Sequence, residues 1–154
     1  MTDRDLIRHA VATVAYRGGK TIRAAPPDFA DFSGTGKTPA QILAHIGDLF
    51  EWALRMAKGD KSWSDSPPLA WEREKQRFFS TLAAFDAYLA SDVPIEAPLE
   101  KLFQGPIADA LTHVGQLALL RGMAGHPIGG ENYYVANIQA GQVGRHQARP
   151  VREF

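Results

Sequence analysis

Hydrophobic positions along the chain fall into four blocks with helical spacing, each bounded by glycine or proline. In residues 3–24, Leu6, Ile7, Ala10 and Val14 recur three or four apart and make one apolar stripe. Gly18-Gly19 weakens this block by about 1 kcal/mol per glycine relative to alanine, which leaves room for a kink or an early end there. Ala25-Pro26-Pro27 closes it, and Asp28–Lys37 has turn composition. The second block, 39–58, opens on Thr38-Pro39-Ala40-Gln41, with Thr as N-cap, Pro at N1 and Gln at N3. Ile42, Ile46, Leu49, Trp52, Ala53 and Met56 fall on one side of it, and Asp48, Glu51 and Arg55 on the other. In the third block, 68–90, Trp71, Phe78, Phe79, Leu82, Phe85 and Leu89 form the stripe, with Glu72, Glu74, Lys75 and Arg77 expected at exposed positions.

The fourth block, 105–124, has both ends marked. Gly105 is placed to cap it and Pro106 sits at N1, where a missing N–H costs nothing. Gly125-His126-Pro127 supplies the stop. A proline-interrupted connection precedes it, with a short turn expected at Leu99–Phe103. The last 29 residues read as an irregular tail with one short helix near Tyr134–Gln139. Repeats, low-complexity tracts and strand-like alternation are absent from the sequence. The pattern predicts one all-α domain over residues 1–154, a four-helix bundle with an irregular C-terminal tail.

Composition narrows the functional classes. In 154 residues, 17 basic side chains balance 17 acidic ones, so no net field favours nucleic acid or an anionic membrane surface. No stretch approaches the ~18 apolar residues of a membrane span. The N-terminus, MTDRDLIRHA, carries acids and lacks the apolar core of a signal peptide, which points to the cytoplasm. Cysteine is absent, which removes disulfides, thiolate ligands and a cysteine nucleophile together. A reacting thiol would have to arrive on a substrate.

Three residues carry the candidate chemistry. His45 lies in the middle of the apolar side of its block, between Ile42, Leu49 and Trp52. Asp109 and His113 are four apart and share one helical face. Two inward imidazoles and a carboxylate form a donor set for a divalent metal, zinc or nickel first, manganese or iron next. Three protein ligands would leave coordination open for water or substrate, as catalytic sites do. A structural reading stands beside this one. A carboxylate in the first turn is favoured by the helix dipole without any ligand, and His113 could be satisfied by a backbone carbonyl. Of the other histidines, His9 reads as a boundary residue, and His126 and His146 are given no role. The run Gly130–Tyr134 could fold back over the site or form a surface turn with its aromatics against the bundle. Neither a phosphate-binding glycine loop nor a Gly-x-Ser-x-Gly elbow occurs.

The stretches TPAQILAHIGDLFEWAL and DALTHVGQLALLRGMAG resemble the DinB-like superfamily of metal-binding four-helix bundles. The family pattern has one histidine on the second helix and a His-x-x-x-His pair on the last, followed by Gly-Gln and an arginine. His45 matches the first histidine, His113 the last through His-Val-Gly-Gln, and Arg121 the arginine. Asp109 stands where the pair's earlier histidine would be, an exchange of imidazole for carboxylate. The resemblance implies a metal bound by His45, Asp109 and His113, and chemistry of a transferase or hydrolase acting through a metal-activated thiol or water. A non-catalytic helical dimer with a structural ion or none is the alternative. The resemblance also implies a homodimer, and the large aromatic surface of the third block, Tyr88 included, is more than one bundle contact needs and so calls for a partner, with no helix assigned to the interface. Otherwise the tail, through Tyr133, Tyr134, Val135 and Ile138, covers that surface and leaves a monomer.

Overall fold

A computed structural model describes residues 1–34 and 36–154. Thr35, within the segment of turn composition, lies outside the described residues. The fold is all-α. Its long helices are α1 (Asp3–Ile22), α2 (Pro39–Ala57) and α3 (Trp71–Ala90). A short α4 (Leu99–Leu102) passes through one π-helical turn (Phe103–Ile107) into α5 (Ala108–Met123). Among the described residues no helix is long and apolar enough to cross a membrane.

The first two starts are built from local chemistry. Thr38 Oγ1 accepts the N–H of Gln41, and the Gln41 side chain accepts the N–H of Thr38. Thr2 and Asp5 form the same reciprocal cap on α1. The third helix starts at Trp71, a little later than the pattern suggests. Pro67-Pro68 keeps the preceding backbone out of the helical region, and Glu74 reaches back to accept the N–H of Leu69 at 2.8 Å.

Gly105-Pro106 does not start a helix. The chain is already helical from Leu99, and the π turn accommodates Pro106 in the helix interior. The apolar pattern requires this: Leu102 and Ile107 are both wholly buried, although five residues apart. An α-helix would turn them about 140° away from each other, and the wider π turn brings them back onto one face. The same phase change sets the direction in which Asp109 and His113 project.

Side-chain contacts fix the helix directions. α1 meets α3 head to tail, with Arg8 on Asp86 and Gly18 against Phe78. α5 runs parallel to α1, since Gly18 also faces Val114 and Arg121 donates to the carbonyls of Thr21 and Arg23. α2 and α3 are likewise parallel: Arg77 reaches the carbonyl of Ala44, and Tyr88 that of Ala57. α2 opposes α5, pairing Trp52 with Gly105 and His45 with His113. The four helices thus close a ring around a core that includes Phe50, Phe78, Phe85, Leu43, Leu82 and Leu117.

Two expectations about surfaces are corrected. The aromatic stripe of α3 is buried in its own core, with Phe78, Leu82, Phe85 and Leu89 at most 1% exposed. That helix packs against both α1 and α2, so it needs two apolar faces rather than one. Glu74, Lys75 and Asp48 are buried, not solvent-facing. Arg77 explains two of them: its guanidinium donates to Asp48 at 2.6 Å, Glu51 at 3.2 Å and Glu74 at 3.3 Å, so the carboxylates enter the interior already paired. Burial works against the Arg77 charge, and the carboxylates reverse this and raise its pKa further. Lys75 is held by Glu72.

The tail lies along α1. Glu131 is buried, accepting from the Tyr16 hydroxyl at 2.5 Å and from Lys20 at 2.8 Å. Tyr133 packs edge-on to Tyr16 beneath the Arg17 guanidinium. Only a single 3-10 turn, Tyr133–Val135, forms where a short helix is expected, and Tyr134 is fully exposed.

Candidate metal centre

His45, Asp109 and His113 come together between α2 and α5. One ligating atom from each lies within 4.8 Å of the other two. His113 Nε2 is 3.4 Å from one Asp109 oxygen, and His45 Nε2 is 3.7 Å from the other. The two imidazoles stand perpendicular, 4.7 Å between centres. The edge of a zinc tetrahedron with bonds of 2.0–2.1 Å is about 3.4 Å, close to the observed separations. His45 and His113 are half-buried, and Asp109 is the exposed member.

Orientation adds to proximity. His113 Nδ1 lies 2.7 Å from Oε1 of Gln116, one turn further along α5. In the tautomer with its proton on Nδ1, that nitrogen donates to the amide oxygen and Nε2 is left free to accept or to ligate; in the other, Nε2–H donates to Asp109. In either, Gln116 fixes the orientation of the His113 ring.

The roof of the site follows from the helix directions. Because α2 and α3 are parallel, residues 58–70 must travel back along the whole of α2, 19 residues or about 28 Å. The crossover lies against α2 along this course. Ser64 accepts from Arg55, Trp63 packs against Trp52 and His45, each at 5.6 Å between ring centres, and Ser66 N–H donates to Asp48 at 2.9 Å. The buried Asp48–Arg77 pair holds that last contact. The sequence marks Gly59–Pro68 only as a polar loop; an indole inside it was the one available sign of a role.

Cavities lie on both sides of the triad. One, about 230 Å³, is polar and lined by Lys37, Gln41, His45, Asp48, Asp65 and Ser66. The other, about 420 Å³, is an open cleft lined by Leu49, Trp52, Gln104, Gly105, Asp109 and Thr112. The remaining sequence candidates lie elsewhere. His9 lines a groove between α1 and α4–α5, and His146 a pocket beside Arg23 and Lys75. The Gly130–Tyr134 run binds α1 through Glu131. Arg121 is buried, and its three hydrogen bonds go to the carbonyls of Thr21, Arg23 and His126, where it ties the end of α1 to the end of α5. Burial, with no carboxylate partner, lowers its pKa.

The arrangement defines a class: an all-α protein with a His–Asp–His cluster between two antiparallel helices and cavities on either side. Compared with protein-family models, curated proteins and solved structures, the chain matches none.

Proposed function

We propose that this chain is a DinB-like four-helix bundle that binds one divalent metal, zinc or nickel, through His45 Nε2, Asp109 and His113 Nε2, and acts as a transferase or hydrolase. The observation that carries this reading is the convergence of the three donors, with the His113 ring held in orientation by Gln116. Support for the family comes from His45 on α2, His113 with Gly115-Gln116 on α5, and Arg121 at the end of α5. When bound, the metal supplies Lewis acidity that lowers the pKa of a thiol or a water at an open position. The protein's own part is to hold two neutral imidazoles and a carboxylate in place and to leave a cavity on each side for the reacting molecule. Asp109 in place of an imidazole puts one negative charge on the ligand set and favours a harder ion than three histidines would.

Elemental analysis of protein purified without chelator, followed by titration with Zn²⁺ and Ni²⁺, tests the assignment. One ion per chain is expected, with binding lost in His45→Ala and His113→Ala while helical content is kept. Stoichiometric binding unchanged in both variants refutes it.

We also propose a homodimer, through a face other than α3. Leu6 and Phe103 are 56% and 48% exposed on either side of an apolar groove of about 570 Å³ between α1 and α4–α5. A second copy is the occupant that would cover both side chains with the same surface twice. Light scattering at micromolar concentration gives about twice 16.9 kDa if this is so, and a mass near 17 kDa refutes it.

A further inference from the structure

We propose that the Trp52 cleft is the substrate-recognition side of the site and takes a small uncharged aromatic group whose attached oxygen or sulfur reaches the metal. This rests on the metal reading for the position of the reacting atom, and on the cleft alone for the aromatic group.

The cleft is built rather than incidental. Trp52 stands on α2 two turns from His45, and Trp63 meets it at 89°, edge to face. The crossover that brings Trp63 there is fixed at Asp48, whose partner Arg77 is itself held by two further carboxylates. Trp63 therefore packs Trp52 from one side and limits its rotation. Opposite its ring lies Gly105, in the π turn, where a Cβ would approach the indole to 4.0 Å. The lack of a side chain at this position is what leaves that part of the indole open. The volume, about 420 Å³, falls in the usual range for small-molecule sites.

Chemistry of the walls selects the ligand. Leu49 and Trp52 supply apolar surface, and Gln104 and Thr112 supply uncharged hydrogen-bonding groups. Among the described residues no Lys or Arg lines this cleft; Lys37 belongs to the polar cavity on the other side of the triad. An anionic group is therefore left without a counter-charge here, whereas a flat ring stacks on indole. Asp109 lines the same cleft as Trp52, so a ring on the indole has its substituent on the side where the proposed ligands lie.

Benzohydroxamate and acetohydroxamate provide the test, since they share a metal-binding group and differ by a ring. On the zinc-loaded full-length protein, the benzo compound is expected to bind at least tenfold more tightly. The ratio falls to within about twofold in Trp52→Ala and in Gly105→Leu. The second variant fills the cleft from a position where a Cβ meets only ordinary contact, so it keeps the test open if removal of Trp52 harms folding. Equal affinities in the wild type, or a ratio that survives both substitutions, overturn the proposal. Phenol titrated into metal-free protein, read by the Trp52 indole N–H signal, separates the two readings. Where the protein takes up no zinc, a shift there upholds the cleft, and the absence of a shift overturns it.

Discussion

Gly18→Ala is expected to destabilise the protein although it replaces the poorest ordinary helix former with the best. Inside a helix the exchange is worth about 1 kcal/mol in favour of alanine. At this position a Cβ would lie 2.5 Å from the Phe78 ring and 3.3 Å from a Val114 methyl. The first contact is about 1 Å inside van der Waals distance. Phe78 cannot withdraw easily, being 1% exposed and edge to face with Phe79 at 4.9 Å between centres. Overpacking of this kind costs about 1–3 kcal/mol, which offsets the gain in propensity, so the net expectation is a loss of up to about 2 kcal/mol. Gly115→Ala is the control, because a Cβ there meets nothing within 4 Å and helix propensity acts alone; a gain of about 0.5–1 kcal/mol is expected. Urea unfolding of the two variants beside wild type gives both signs from shifts in midpoint at constant slope. A midpoint that rises in Gly18→Ala as it does in Gly115→Ala would refute the claim that this glycine exists for helix contact.

Three further outcomes are expected. Stability should be full below about pH 10 and fall as pH rises beyond it. Burial and the bond to Glu131 raise the Tyr16 pKa, and for Lys20 the Glu131 carboxylate more than reverses the effect of burial, so both groups hold their protons in the folded state past the point where the unfolded chain loses them. Thermal melts between pH 8 and 12 should show this limb flattened in Tyr16→Phe. Gln116→Leu frees the His113 ring and should weaken zinc binding about 10–100-fold in a calorimetric titration, with helical content unchanged. Arg77→Met leaves Asp48 and Glu74 as buried charges without their partner and should cost about 3–5 kcal/mol in denaturant unfolding; a loss below ~1 kcal/mol would mean the carboxylates relax to solvent.

What was legible in the sequence was what depends on near neighbours. Thr38-Pro39-Ala40-Gln41 caps a helix because every atom involved lies within one turn, and the i,i+4 pairing of Asp109 with His113 is fixed by helix geometry alone. His45 could be placed on an inward face but not opposite the pair, since that required the directions of α2 and α5. Gly105-Pro106 misled because the same dipeptide suits a helix start and a π turn; only the joint burial of Leu102 and Ile107 decides between them. Asp48 and Glu74 carry charge and so read as solvent-facing, while their common partner Arg77 follows Asp48 by 29 residues. The aromatics of α3 were counted against one neighbour when the helix has two. Trp63 had no periodic signal at all, because its position follows from the parallel course of α2 and α3.

The pairing of α1 with α5 and the tail has a consequence for how the chain is made. Tyr16 waits for Glu131 across 115 residues, and the carbonyl of Thr21 waits for Arg121 across 100. During synthesis the first helices must leave the ribosome with an apolar flank still uncovered, and His45 emerges well before either of its companions. Such distant contacts close slowly, because the loop entropy is spent before the contact is gained. A nascent chain stopped short of α5 therefore exposes a sticky surface and offers a lone imidazole. Under the proposed metal reading ion capture comes at the end of folding, and a chaperone that shields α1 and α2 until the last quarter appears would raise the yield of the native protein.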